Sequence, residues 1–322
     1  MAIILLSLSA GIAAPVKMTV SFIDVGQGDS ILVQFPNGSN MLVDAGDPNH
    51  GETVVKYLRS LNISKVDILV ATHCHTDHIG GMPDVLAGFI IGKAWEPGYD
   101  DGSEPRKQFL QNLNDRGIPY GIPKAGFTQK IGTARIDMLA PVKMLSGTER
   151  DANNNSLVLR VSYGNVSFLL MGDMELEQCA TVASFPKSTV LKVAHHGSQN
   201  GTSAKFVKEV SPQIAVISVA AKNDYGYPHS ATLAVLNDAK SALFMTSTNG
   251  TIVITTDGNT IDTKAISASQ TSDNRQYIGN VKSMVYHLPS CTSLPQLRNR
   301  VYFNSSNEAI SRGYHKHGGC IR

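Results

Sequence analysis

Residues 71–81 read ATHCHTDHIGG and place His73, His75, Asp77 and His78 within six positions. The run follows KVDILV, a short apolar segment of the kind that forms a buried strand. A strand end projects its next side chains into a loop, and a loop lets several of them converge. His73 and His75, two apart, reach one metal; Asp77 and His78 reach a second about one turn on. Zinc takes such nitrogen and oxygen ligands at ~2.0–2.2 Å. A lone histidine is usually an ordinary surface or core residue, but H-x-H-x-D-H before Gly80 and Gly81 calls for another explanation. Two ions need further ligands from elsewhere, including one that bridges them.

Working outward, other strand ends offer such ligands. VDAG carries Asp44, LLMGD ends in Asp173, and LKVAHHGS carries His195 and His196. Each polar group stands just after an apolar run, where the chain leaves a sheet. A buried charge at such a place is costly unless paired or bound to metal.

The surrounding grammar is mixed. Residues 18–43 alternate as strands around the turn signals GQGD and PNGSN, then GETVVKYLRSLNI has helical spacing before KVDILV. ARIDMLAP reads as a strand and SLVLRVSYGNVSFLLMGD as two. MELEQCATVAS reads as helical, TVLKVAHHGS as a strand, SAKFVKEVSP as a helix, IAVISVA as a strand and SATLAVLNDA as a helix. ALFMTSTNGTIVITTDGNTI closes with strands. Two similar halves of strands with helices between them predict an α/β (α+β) fold, an αββα sandwich, over residues 15–263.

The chain has 322 residues, 42 % hydrophobic and 17 % charged, which excludes a disordered polymer. A formal charge of +2 excludes a global basic field for nucleic acid and leaves a local basic groove open. Residues 1–14 are apolar and then small, which reads as a secretion signal or as a buried first strand. The first reading places the protein outside the cell or at its surface, the second in the cytoplasm. Residues 264–276 are small and polar and read as a linker.

The last 46 residues, 277–322, have their own logic. His287 and Cys291 are four apart, His317 and Cys320 three apart, and twenty-five residues separate the pairs. Two close pairs across a short spacer read as a structural zinc site, a usual staple for so small a module. The alternative is a disulfide between Cys291 and Cys320. Arg298, Arg300, Arg312, Lys316 and Arg322 make this tail the most basic part of the chain, either as a nucleic-acid contact or as a solvated face.

FIDVGQGDS, THCHTDHIGG, NNNSLVLRV, LLMGD, LKVAHHGS and YGYPH, taken together, resemble the metallo-β-lactamase-fold hydrolases, and more narrowly the extracellular domain of ComEC-type DNA-uptake proteins. The resemblance covers about residues 18–260. It implies that His73 and His75 hold a first metal, Asp77 and His78 a second, that Asp173 bridges, and that His195 completes the second site, with His196 as its rival. It implies Asp44 as an acceptor that orients a ligand histidine. Many members carry a histidine between these motifs, but no histidine occurs from residue 79 to 194 here, so the resemblance implies that Asn155, Ser156 or a water stands in, and that a weaker, oxygen-rich first site admits Mn²⁺ beside Zn²⁺.

The implied reaction is attack by a hydroxide held near Asp77 and Asp173, with His229 and Lys192 as candidates to stabilise developing negative charge. Lys192 reads equally as a solvated strand residue. Asp29 and Ser30 in DVGQGDS are candidates for substrate contact or for turn capping. Phosphodiesters, DNA above all, fit the narrower resemblance; lactones and β-lactams are the alternative substrates, and a DNA-binding uptake accessory without turnover is the alternative function. The tail resembles the small zinc-binding domain of the Ada repair protein, with His287 and His317 standing where cysteines are usual.

Overall fold

The computed structural model describes residues 16–266, 277–296, 299–303 and 305–321. The expected signal over residues 1–14 lies outside them, as do Arg298, Arg322 and residues 267–276 of the expected linker. Residues 264–266 complete the strand Ile261–Ile266.

Two sheets face each other. The eight strands of the first run in the order Ile261–Ile266, Thr251–Thr256, Met18–Phe22, Ile31–Gln34, Asn40–Val43, Lys65–Val70, Ile90–Trp95 and Tyr120–Gly121. The seven of the second run Ala242–Met245, Ile214–Ile217, Val190–Lys192, Val166–Leu170, Val158–Tyr163, Ala134–Ala140 and Thr128–Ile131. Each sheet is antiparallel on one side and parallel on the other: Asn40–Val43 pairs parallel with Lys65–Val70, and Val190–Lys192 pairs parallel with both of its neighbours.

The alternation of side chains explains the layering. Ile31, Val33, Met41 and Val43 point between the sheets, where they meet Leu159, Val161, Phe168 and Val190 from the other side. Leu32 and Leu42, one residue out of phase, point outward against the helices. Strands apolar on both faces must be covered on both. Helix Gly51–Ser60 supplies Val54, Val55 and Leu58 to cover the first sheet, and helix Ala204–Val210 supplies Phe206, Val207 and Val210 to cover the second. The expected αββα sandwich is the observed architecture.

The helix expected over MELEQCATVAS shrinks to one turn, Leu176–Cys179. Its polar groups are used by neighbouring loops: the Gln178 N–H donates to Asn154 Oδ1, and its Nε2 donates to the Lys143 carbonyl.

The C-terminal residues form a four-stranded sheet, Arg300–Phe303, Tyr277–Asn280, Val285–His287 and His315–Lys316, with helix Ser306–Ser311. Tyr286, Phe303, Ala309 and Tyr314 make a small core of their own. Ile278 and Tyr302 instead join the helical layer outside the first sheet, where Arg59 donates to the carbonyls of both Gly88 and Tyr302.

Candidate metal centre

The site assembles where the parallel strands release their chains. Asp44 follows Asn40–Val43, and its N–H donates to the Val70 carbonyl. Lys65–Val70 runs into the histidine turn, and Thr76–Ile79 forms a single helical turn that carries Asp77 and His78. From the second sheet, Asp173 follows Val166–Leu170, and His195 and His196 follow Val190–Lys192.

Donor atoms of Asp77, His78, Asp173 and His196 all lie within 4.8 Å of one another. His78 Nε2 is 3.3 Å from Asp173 Oδ1, and His196 Nε2 is 3.2 Å from Asp77 Oδ2 and 3.4 Å from Asp173 Oδ2. His73 Nε2 lies 3.8 Å from Asp173 Oδ2, buried and without a hydrogen-bond partner. The His73 ring is 4.6 Å from that of His75, which is exposed at the mouth. Two aspartates and several imidazoles converging around an unpartnered nitrogen fit divalent cations, which take just such oxygen and nitrogen donors.

Hydrogen bonds behind the rings aim them. Asp44 accepts the Thr72 N–H at 2.8 Å and the Thr72 hydroxyl at 2.7 Å, and it pairs with His78 Nδ1 at 2.7 Å. The Ser218 carbonyl accepts from His196 Nδ1 at 2.9 Å, and Glu175 pairs with His195 Nδ1 at 2.9 Å. An engaged Nδ1 leaves Nε2 of each ring facing the centre. Asp44 thus lies behind His78.

Other residues fall differently. His196, the rival, is the one grouped with Asp77, His78 and Asp173; His195 stands aside, its Nε2 3.8 Å from Asp173 Oδ2 and 3.3 Å from the Tyr227 hydroxyl. The residues are not on a strand, where neighbours would point opposite ways. Both adopt left-handed backbone, with φ of 47° and 51°.

Both residues expected to replace the missing histidine are engaged with neighbours. Asn155 spends its amide on the Leu145 and Asp151 carbonyls and on the Leu145 N–H, and Ser156 Oγ accepts the Asp173 N–H. Asn153, which sequence reasoning passed over, is fully buried beside His195, with its Oδ1 unpartnered. Three consecutive asparagines offer no signal that distinguishes the first.

Lys192 is neither solvated nor aimed at substrate. It is fully buried, and its Nζ donates to Asp29 Oδ2 at 2.7 Å and to the Val193 carbonyl at 3.0 Å. Asp29 and Ser30 are likewise buried beneath the centre: Asp29 Oδ1 is 3.6 Å from His196 Nδ1, and Ser30 Oγ donates to the Asp44 carbonyl. His229 accepts the Gln199 N–H at Nδ1, packs its ring on Tyr227 at 5.0 Å and donates its backbone N–H to the Gly197 carbonyl, so its side chain faces away from the metal-ligand group.

The electrostatics follow from burial among opposite charges. Burial opposes the charge on Asp173, but His196, His78 and His195 outweigh it and hold the carboxyl well below its usual range. Burial likewise opposes the His196 imidazolium, yet Asp173, Asp77 and Asp29 push its pKa up to about 10. His78 is raised for the same reason, against burial, by Asp173, Asp44 and Asp77. His73 moves the other way, lowered by burial and by His78. A neutral His73 keeps a lone pair for a metal.

The C-terminal module holds a second donor group: His287, Cys291, His317 and Cys320. Cys291 Sγ is 3.4 Å from His287 Nδ1 and 3.5 Å from His317 Nδ1, and Cys320 Sγ is 3.3 Å from His317 Nδ1. Bonds of ~2.3 Å to sulfur and ~2.0–2.1 Å to nitrogen at a tetrahedral ion put sulfur and nitrogen about 3.6 Å apart. Both thiols are free, so the alternative disulfide is not formed.

The model of the metallo-β-lactamase superfamily matches residues 23–221, more than half of the chain, and the chain belongs to that superfamily. It is 32 % identical over 255 residues to ComE operon protein 3 of Bacillus subtilis, covering 72 % of this chain and 32 % of that protein. It is 28 % identical over 239 residues to recombination protein 2 of Haemophilus influenzae, covering 72 % of this chain and 28 % of that one. Competence protein ComA of Neisseria gonorrhoeae is 28 % identical over 224 residues, covering 67 % and 29 %. The chain thus spans about a third of the length of these relatives. Among the described residues no helix is long and apolar enough to cross a membrane.

Two outcomes follow from the charge arrangement. Metal must displace protons that His78 and His196 retain in its absence. Calorimetric titration of chelator-stripped protein with Zn²⁺ at pH 7.5 will therefore show release of at least one proton, read from the dependence of enthalpy on the buffer's ionisation heat; buffer-independent enthalpies would contradict it. Lys192→Met leaves Asp29 buried without its cation, and denaturant unfolding will show a loss of about 3–5 kcal/mol. A loss under ~1 kcal/mol, the scale of an exposed pair, would show the pair to be dispensable.

Proposed function

We propose that the chain is a dinuclear metallohydrolase that cleaves phosphodiesters, with DNA as its substrate. The convergence of Asp77, His78, Asp173 and His196, with the unpartnered Nε2 of His73 beside them, carries this reading. His73, His75, Asp173 and Asn153 would hold one cation, and Asp77, His78, Asp173 and His196 the other. Such ions, when bound, lower the pKa of water and neutralise charge on phosphoryl oxygens. The Asp77 side chain is 32 % exposed and that of Asp173 only 2 %, so Asp77 is the carboxylate that meets incoming water. Asp44 and the Ser218 carbonyl hold His78 and His196 in register while this happens.

Relatives named for competence and recombination support DNA over lactones and β-lactams. A location outside the cytoplasm follows if residues 1–14 act as a signal. The absence of a histidine near Asn153 favours a second reading, a DNA-binding accessory without turnover.

Metal-loaded protein will cleave single-stranded DNA, double-stranded DNA or bis-p-nitrophenyl phosphate, lose this activity in EDTA and regain it with Mn²⁺ or Zn²⁺. Asp44→Asn will lower kcat/KM by ~10–100-fold, and Asp77→Asn by more. Loaded protein that binds DNA yet cuts none of these substrates establishes the second reading; hydrolysis of lactones or β-lactams alone overturns the phosphodiester.

We also propose that His287, Cys291, His317 and Cys320 hold a structural Zn²⁺. Elemental analysis will then find about three ions per chain in the wild type and about two in Cys320→Ser, with earlier proteolysis of the C-terminal module. Equal metal content in the two proteins would remove this site.

A further inference from the structure

The turn at residues 223–229 closes one side of the centre. Asn223 pins it: Oδ1 accepts the N–H groups of Tyr225 at 3.2 Å and Tyr227 at 2.9 Å, and Nδ2 donates to the Tyr227 carbonyl at 2.8 Å. The two phenol rings stack 5.4 Å apart with their planes 17° from parallel. The Tyr227 hydroxyl is 3.3 Å from His195 Nε2, and its ring lies 6.5 Å from that of His196. An aromatic surface therefore runs outward without a break from the metal centre to Tyr225, which is 61 % exposed.

We propose that Tyr225 is a stacking platform for a nucleobase beside the scissile phosphodiester, and that the site takes its nucleic acid as a single strand. The proposal rests on the phosphodiesterase reading above and specifies its substrate. The stacked pair leaves no room for a third ring between them, so the base lies on the outer, wet face of Tyr225. Bases inside a duplex have both faces covered by their neighbours, and only an unpaired strand presents one. Stacking of this kind tolerates every base, because each has a π-face. Lys222, the residue before this turn, is exposed.

The test compares a twelve-residue oligothymidylate with a twelve-residue abasic strand, using metal-loaded full-length protein. The ratio of kcat/KM on the two strands will favour the thymidylate in the wild type. In Tyr225→Ala it will fall by about 5- to 100-fold, the usual cost of losing one base–aromatic stack, and in Tyr225→Phe it will be retained. A wild type that cuts both strands equally, or an unchanged ratio in Tyr225→Ala, overturns the platform. Fluorescence anisotropy with the same strands separates this from failure of the hydrolase reading. If nothing is cut but thymidylate affinity drops by a similar factor in Tyr225→Ala, the platform stands and the hydrolase reading falls; unchanged affinity removes the platform whatever the activity.

Discussion

Burial of carboxylates at the junction of the two sheets governs the rest of the molecule. Asp44, Asp29 and Asp173 are 0 %, 1 % and 2 % exposed. Taking each such ion out of water costs several kcal/mol unless an opposite charge meets it in good geometry. None of their counter-charges can come from the same loop. Asp29, on the first sheet's side, is met by Lys192 of the second, 163 residues away. Asp173, on the second sheet's side, is met by His78 of the first as well as by His196 of its own. The sandwich must close at this end in one register, or several charges remain buried alone. The same contacts that would hold metals also join the two halves of the fold.

Close approach of backbones lets those charges meet. A Cβ on Gly28 would lie 2.2 Å from the Asp77 carbonyl oxygen, and Gly28 has φ of 132°. A Cβ on Gly81 would lie 2.1 Å from the Ala45 carbonyl oxygen. Both contacts are far inside van der Waals distance, so no larger residue fits without moving the Asp77 turn or the loop after Asp44. The glycines of DVGQGDS read in sequence as a tight turn between strands. Their heavier role is to let that loop nest under the histidine turn, where the Asp29 N–H donates to the Asp77 carbonyl.

What could be read from sequence was what is local. H-x-H-x-D-H announces itself because its ligands are neighbours in the chain, and the strands announce themselves by alternation over four or five residues. Asp44 was readable because it ends an apolar strand, where a charge needs a partner. Partnership across the fold was not readable. Nothing near Lys192 reveals that Asp29 waits for it, so exposure and substrate contact were the only readings at hand. The resemblance put His195 before its rival His196, and no local pattern could choose between them, because the strand ends at Lys192 and alternation does not reach them. Asn153 is set apart only by its place beside His195, which lies 42 positions on. Helix Glu104–Asp115 has few apolar positions, with Phe109 and Leu113 its buried residues, and so gave little periodicity to detect.

Backbone strain marks the same place independently. Seven described non-glycine residues have positive φ: Asp44, Asn62, His195, His196, Ser211, Lys240 and Met284. Asn62, Ser211 and Lys240 stand where helices end, the ordinary home of a left-handed residue. Asp44, His195 and His196 end no regular helix, and a β-carbon there meets the following carbonyl at a cost of roughly 1–2 kcal/mol per residue. Two adjacent histidines in this conformation need opposing gains. His196 has the Ser218 carbonyl and two aspartates, His195 has Glu175, and Asp44 has Thr72 and His78. Each of these gains exists only while the ring or carboxylate keeps its present orientation. Relaxing either histidine to right-handed backbone would turn its Nε2 away from Asp173, so the strain and the convergence of donors are one structural fact seen from two sides.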